Sequence, residues 1–272
     1  MTKTTLLIDG DLYAYRAMCA VEEETEWDTD VWTLTCDHKQ ALRQFDEAVD
    51  YARDKTYADD VVYCFSDARN WRKELNPTYK ANRKKVRKPV GYLEFIASIM
   101  EERPSYQRPA LEADDIMGII ATHPGIIPGT KVIASFDKDM QQVPGLLWDS
   151  SELREVSPEQ SQLYHMAQTL SGDAVDNYPG CPGIGSSRAD EIVKKPTVLT
   201  PYLHELKRGP RKGEKETRYE EKPTRDLWKA VVSRFVAAGL TEDDALMNAR
   251  LARICQHTEY DFTKKEVILW TP

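Results

Sequence analysis

Three short runs of apolar residues in this chain each run into an aspartate, and segments of helical period separate them. The runs are Leu6-Leu7-Ile8 before Asp9, Val61-Val62-Tyr63-Cys64-Phe65 before Ser66-Asp67, and Val132-Ile133-Ala134 before Ser135-Phe136-Asp137. Apolar stretches this short, closed by turn-forming residues, read as buried strands. Between residues 37 and 58, Ala41, Leu42, Phe45, Ala48, Val49 and Ala52 recur on one helical face. Further helices are expected over 12–20 and 90–102, and from Glu112-Ala113-Asp114-Asp115 through Ile116, Ile119 and Ile120 to His123-Pro124-Gly125. Strands alternating with helices predict an α/β fold: a mostly parallel sheet flanked by helices on both faces. Such a sheet binds ligands beyond the carboxyl ends of its strands, where the three aspartates would converge.

Strand signals fade after about residue 157. Ser157-Pro158-Glu159-Gln160 has the form of a helix start, with Ser at the cap, Pro at the first position and Gln at the third. A second helix is expected near 187–195, after the turn Pro179-Gly180-Cys181-Pro182-Gly183-Ile184-Gly185. Residues 205–224 are polar and charged and read as a mobile loop. Helices at 225–238 and 242–256 and a short strand at 267–270 complete the chain. The division expected is an α/β core over 1–155, including a basic segment at about 69–108, and a helical region over 156–272 with a helix–hairpin–helix at about 158–195.

The carboxylates carry the chemistry. Asp139 lies two residues after Asp137, and Glu112, Asp114 and Asp115 cluster where the helix macrodipole favours negative charge. Any one of these acids alone could be a cap or a turn former. Gathered together they would repel strongly unless cations neutralised them. Oxygen ligands without His or Cys point to two Mg²⁺ or Mn²⁺ ions, a pair suited to in-line phosphoryl displacement. The five cysteines are scattered without a Cys-x-x-Cys, which argues against zinc and against a disulfide framework.

Net charge is −8, an unpromising total for a nucleic-acid binder. The distribution reverses that impression. Between Arg69 and Lys88 there are nine Lys or Arg residues and one acid, Glu74. Lys80, Arg83 and Lys84 could clamp a phosphate, and Tyr79 could stack on a base if this segment is helical. Gly183 and Gly185 would let a backbone approach phosphate at the start of the following helix, with Arg188 beside them. Asp173 and Asp176 precede this turn; on their own they also suit helix-end turns.

Taken together, these motifs resemble the 5′-nuclease family of flap endonucleases and 5′-to-3′ exonucleases. Gly172-Asp173-(x)₂-Asp176-Asn177-(x)-Pro179-Gly180-(x)₂-Gly183-Ile184-Gly185 is similar to the family's acidic pair running into its helix–three-turn–helix element. Leu111-Glu112-Ala113-Asp114-Asp115, Ser135-Phe136-Asp137-Lys138-Asp139 and Tyr79-Lys80-Ala81-Asn82-Arg83 resemble three further family signatures. The chain's size, the stretch Asn70 to Leu75 and its ending look closest to the exonucleases of short-tailed lytic phages. The resemblance implies a PIN-like nuclease core. It gives Asp9, Asp67, Glu112 and Asp114, with Asp115 beside them, to a first metal, and Asp137, Asp139, Asp173 and Asp176 to a second. It gives Lys80 and Arg83 to the reacting phosphate, Tyr79 to the terminal bases, Arg16 to a phosphate, and the Gly183–Gly185 turn to duplex DNA around a K⁺. Ala68-Arg69 departs from the family's usual Gly-Lys, and Asp11 has no clear family counterpart and reads as turn chemistry.

The expected activity is removal of nucleotides from DNA 5′ ends, with flap cleavage and RNA-primer removal, in phage replication, recombination or host DNA degradation. The expected protein is a cytoplasmic monomer acting in the host cell, without a signal peptide, a membrane span or a sliding-clamp motif. A non-cleaving DNA-binding protein of the same fold and a PIN-type ribonuclease are the competing readings. The unbroken set of acids argues against the first, and the helix–hairpin–helix segment against the second.

Overall fold

The structure, a computed structural model, describes residues 3–85 and 87–272; the side chains of Lys84 and Lys85 lie outside the described set, and with them the expectation for Lys84. The chain forms two compact units that are not consecutive in sequence. The first contains residues up to Leu75, Arg83–Ser161 and Ile254–Ile268; the second contains Asn76–Asn82, Gln162–Arg253 and Leu269–Pro272. The expected division at 155/156 misses the two exchanged segments. Contacts across long sequence separations define them, and no local pattern marks them.

The first unit is built on a six-stranded sheet ordered β5-β4-β1-β6-β7-β8. Its strands are β1 (Thr4–Asp9), β4 (Asp60–Cys64), β5 (Ser105–Tyr106), β6 (Thr130–Ala134), β7 (Gly145–Trp148) and β8 (Leu153–Val156). All neighbours pair in parallel except β7 and β8. The central strand β1 buries every residue from Thr5 to Asp9, as a strand covered on both faces should. Helices α1 (Gly10–Cys19), α2 (His38–Thr56) and α4 (Tyr92–Glu102) contribute Tyr13, Phe45 and Phe95 to the core beneath Leu6 and Ile8. Asp37 Oδ1 accepts the Lys39 and Gln40 amides to start α2, and Tyr57, left-handed at φ 52°, ends it. Helix α5 (Ala113–Thr122) packs on β1, β4 and β6 and begins with the carboxylate cluster.

A hairpin in this unit, β2 (Glu22–Asp28) and β3 (Val31–Cys36), has no counterpart in the sequence expectations. Most of its residues are exposed on both faces, so no alternation of apolar and polar residues announces it. Instead, Trp27 Nε1 donates to Thr33 Oγ1 across the strands, and Arg87 and the Val90 amide hold Glu22.

The second unit packs the end of α6 (Pro158–Ser171), α7 (Ser186–Lys194), α8 (Leu227–Ala237) and α9 (Glu242–Ala252) around Leu170, Ala189, Ile192, Val231, Phe235 and Ala245. The segment read as a mobile loop is a long antiparallel hairpin, β9 (Thr197–Glu205) with β10 (Lys215–Pro223), paired in register at nine positions. The ladder and a polar side-chain bond hold it where hydrophobic patterning is silent: Thr197 of β9 pairs with Glu221 of β10. The expected terminal strand is shorter than predicted: β12 (Glu266–Val267) pairs with β11 (Tyr260–Asp261) in the first unit. Among the described residues, no helix is long and apolar enough to cross a membrane.

Candidate active site

Strand register sets the site. Asp9 at the end of β1 lies level with Cys64 of β4, and Ile8 lies level with Ala134 of β6. The next residues of the chain after β6, Ser135 to Asp137, therefore pass beside Asp9. Ser135 Oγ donates to Asp9 Oδ2 at 3.2 Å, and the Asp137 amide donates to Ser135 Oγ at 3.2 Å. Asp137 also caps a 3₁₀ turn (Lys138–Gln142), its Oδ1 accepting the Asp139 amide at 2.8 Å. Asp137 and Asp139 are thus aimed by one turn, as their spacing implies.

On the other side of β1, Ser66 ties two carboxylate segments together. Its amide donates to Asp11 Oδ2 at 2.8 Å, and its hydroxyl accepts the Ala113 amide that opens α5. Asp11 thereby stands next to the Glu112 charge. Burial pushes Asp9 up to about 7, with the neighbouring Asp11 and Asp137 carboxylates adding to the rise. Burial likewise raises Asp11, against the hydrogen bonds from Ser66. Burial raises the Cys64 thiol too, and Asp9, Asp11 and Asp114 all push it the same way. The ends of adjacent strands therefore collect Asp9, Asp11, Glu112, Asp114 and Asp137 into one field of negative charge. Among the described residues, no three of these side chains are pinched into a ready-made coordination cage.

Asp11 is the member of this carboxylate field that sequence reasoning set aside. Its signal was present: in Asp9-Gly10-Asp11 the second acid falls in the first turn of α1 and shares the strand's exit point. Gly10 makes this possible, since a Cβ there would lie 2.4 Å from the Phe65 ring.

Asp115 was grouped with the metal-facing acids, and the structure gives it different work. It is fully buried, and Arg72 grips it with Nη2 on Oδ1 at 2.7 Å and Nη1 on Oδ2 at 2.8 Å. Trp71 Nε1 and the amides of Glu112 and Cys255 donate to it as well. A carboxylate surrounded by five protein donors has no acceptor site left for an ion. Glu112 shares Arg72 through its Oε2 at 2.9 Å. Asp67 accepts the Ala110 amide at 2.7 Å. That bond, with smaller help from the Ala68 and Arg69 amides, holds its carboxyl below the usual range, so it stays ionised within its own loop. Arg16 lies in the last turn of α1 with its guanidinium 4.1 Å from the Phe136 ring centre. Arg83 is exposed in a 3₁₀ turn (Ala81–Lys85).

The basic segment is not a continuous helix. A short helix α3 (Trp71–Leu75) ends before Pro77, the Asn76 side chain turns the chain by accepting from Thr78, and Lys80 is left-handed at φ 52°. Residues 76–82 belong to the second unit, where they are stitched to the loop carrying Asp173 and Asp176. The Lys80 amide donates to Asp176 O, Asn177 Nδ2 to Thr78 O, and Asn82 Nδ2 to Ala174 O. Tyr79 is buried and its hydroxyl donates to Asp176 Oδ2 at 2.8 Å, so its ring is not offered to a base as expected. Lys80 Nζ lies 3.6 Å from the same carboxylate. Asp173 Oδ1 accepts the Val175 and Asp176 amides, the turn role that remained open for it.

Between α6 and α7 the glycines divide into two kinds. A Cβ on Gly172 or Gly180 would run into backbone, 2.4 Å from Pro179 C and 2.2 Å from Gly172 N respectively. On Gly183 or Gly185 it would meet nothing within 4 Å. The first pair closes the loop on itself, and the second leaves open backbone at the start of α7, with Arg188 exposed beyond it.

Residues 4–163 match the family model for the 5′-3′ exonuclease N-terminal resolvase-like domain. The chain is 37% identical to the exonuclease of Escherichia phage T7 over 283 aligned residues, covering 99% of this chain and 94% of that one. It is 36% identical to the exodeoxyribonuclease of Enterobacteria phage T3, covering 99% and 93%. Its fold is similar to that of the T5 5′-exonuclease with bound divalent metal ions (zinc), with a TM-score of 0.52 at 16% identity over 71% of this chain and 75% of that one.

Proposed function

The chain belongs to the 5′-3′ exonuclease family and is a nuclease, and from that premise we propose that it hydrolyses phosphodiesters from the 5′ ends of duplex DNA with the help of two divalent ions. The observation that carries this reading is the field of carboxylates at the strand ends, strong enough to help hold Asp9 near 7. A site whose carboxylates outnumber its cations, and whose exposed donors are hard oxygens, suits Mg²⁺ or Mn²⁺. Divalent ions held there would supply charge neutralisation for a phosphoryl group under attack. The T5 relative, which binds divalent metal, supports the same dependence.

Asp9, Asp11, Glu112, Asp114, Asp137 and Asp139 are the ligands we assign at this edge. Asp67, held ionised by the Ala110 amide, fits a contact through water. Asp115 positions: it fixes Arg72 and the start of α5, and so aims Glu112 and Asp114. The metal role that sequence resemblance gives Asp173 and Asp176 is part of the same proposal, as are the phosphate roles of Arg16, Lys80 and Arg83. A basic side chain there would stabilise charge growing on the phosphoryl oxygens. Gly183, Gly185 and Arg188 present open amides and a guanidinium suited to the backbone of duplex DNA, with K⁺ as the ion such a turn would share with a phosphate. The substrates are 5′ ends, flaps and RNA primers on duplex DNA, and the acting form is a monomer.

Incubation of the pure protein with blunt, 5′-overhang and 5′-flap duplexes, in Mg²⁺ and in EDTA, tests this. Cleavage is expected in Mg²⁺ only, and Asp137→Ala is expected to slow it by on the order of 10²-fold or more. Failure to cut any of these substrates in Mg²⁺ would overturn the activity; cutting that survives EDTA would overturn the metal dependence.

A further inference from the structure

The hairpin of β9 and β10 stands out because its charge is sorted along its length. Between Glu205 and Lys215 its tip carries five cations (Lys207, Arg208, Arg211, Lys212 and Lys215) against two acids, in a chain of net charge −8. Along the strands, opposite charges pair off: Arg218 with Glu216 at 2.7 Å and Lys222 with Glu220 at 3.4 Å. At the tip only Arg211 is paired, with Glu214. Lys207, Arg208, Lys212 and Lys215 are exposed, and none is in an ion pair among the described residues. A hairpin charged merely for solubility would mix signs throughout, as these strands do. A tip left with like charges is held at a cost in self-repulsion that a polyanion would remove.

The arm is built to hold its position at the base. Arg234 of α8 reaches the Thr197 hydroxyl with Nη2 at 2.6 Å, and the Leu199 amide donates to Ser233 Oγ at 3.1 Å. Thr197 Oγ1 donates to Glu221 Oε2 across the strands at 2.9 Å. The base adjoins the glycine turn: Pro182, Ile184, Arg188, Leu199, Glu221 and Arg234 line one groove. Nine-residue strands at about 3.3 Å per residue carry the cations about 30 Å from that base.

We propose that the β9–β10 hairpin is a duplex-binding arm that extends the glycine-turn surface along the DNA, its tip cations meeting backbone phosphates about one helical turn away. This rests on the reading of the protein as a DNA nuclease and adds a site to it. The arm touches phosphate, so it carries affinity without sequence preference. Exposed tyrosines on the strands, Tyr202 and Tyr219, lie between base and tip.

The test compares the protein with a variant carrying Lys207→Ala, Arg208→Ala, Lys212→Ala and Lys215→Ala, and with a second that replaces the three lysines by arginine. Binding to duplexes of about 7 base pairs, closed by a hairpin loop and shorter than the arm, and of about 30 base pairs is measured over a range of salt, each base pair adding about 3.4 Å of length. The alanine variant is expected to bind the long duplex about tenfold more weakly, and its slope of log K against log salt is expected to flatten by about 0.9 for each phosphate it no longer neutralises. Binding to the short duplex and its cleavage rate in Mg²⁺ are expected to stay as in the parent, and the arginine variant is expected to match the parent throughout. Equal affinity and equal slope on the long duplex for the alanine variant and a parent that binds DNA would overturn the arm alone, and would leave its tip to an acidic protein segment. A parent with no affinity for either duplex would overturn the nuclease reading together with the arm.

Discussion

Two aspartates that adjoin in sequence, Asp114 and Asp115, divide structure from chemistry. Asp115 is encircled by donors and shut from water, whereas Asp114 contributes to the charge that Cys64 experiences at the sheet edge. Removing one partner of a buried ion pair costs about 3–5 kcal/mol, because the other charge is left stranded. Asp115→Asn is therefore expected to lower stability by about that amount, read as a lower urea midpoint. Asp137→Asn, at the edge, is expected to stay within about 0.5 kcal/mol of the parent while losing cleavage. An unchanged midpoint for Asp115→Asn would refute the anchoring role. At this scale the sequence picked out the acids but not the surroundings that separate them. Glu112-Ala113-Asp114-Asp115 reads as a single cluster until Arg72 and the Cys255 amide, 43 and 140 residues away, claim one member of it. Asp11 was passed over although Asp9-Gly10-Asp11 puts it in the first turn of α1, because its partners Ser66 and Glu112 lie far off in sequence.

Among the elements, the helices and the central strands were legible because each buries one face or both, and burial leaves a period in the sequence. The two exposed hairpins were not, since β2–β3 and β9–β10 are held by hydrogen bonds and cross-strand pairs between polar residues. The basic segment misled for a third reason. Its composition suits a helix, yet Pro77 and the left-handed Lys80 commit it to turns that dock on the Asp173–Asn177 loop. The glycines of that loop offer a graded test. Gly180→Ala forces a Cβ into the Gly172 backbone at a positive φ of 64° and is expected to cost about 3 kcal/mol or more. Gly185→Ala meets open space at a negative φ and is expected to leave stability within about 0.5 kcal/mol. It is also expected to weaken duplex binding several-fold by standing the turn away from phosphate. Urea melts and duplex titrations of both variants check this; full affinity for Gly185→Ala would count against the turn as a DNA contact.

For the whole molecule, the parallel sheet and the aspartates at its strand ends followed from three strand–aspartate junctions, but the interleaving of the two units did not. Residues 254–268 return to the first unit after the second is nearly complete. They bring the Ile254 amide to Gln142 Oε1 and the Cys255 amide to Asp115, and the Cys255 carbonyl packs so close to Gly118 that a Cβ there would lie 2.4 Å away. A chain ending at Arg253 is thus expected to leave α5 without the Cys255 contacts and to lose both cooperative unfolding and cleavage, as followed by circular dichroism in urea and by nuclease assay. A truncated chain that melts and cuts like the parent would refute this dependence.

The late arrival of Ile254 and Cys255 also orders the events of synthesis. A growing chain emerges at about 5–20 residues per second, and the β1, β4 and β6 strands leave the ribosome long before the segment that locks α5 beneath them. The acids at the sheet edge are therefore made well before the residues that anchor Asp115. A chain stopped between the two would bear most of the carboxylates without the Cys255 amide that fixes the start of α5. Tying the start of α5 to a segment 140 residues downstream makes this carboxylate-bearing helix depend on synthesis running at least that far.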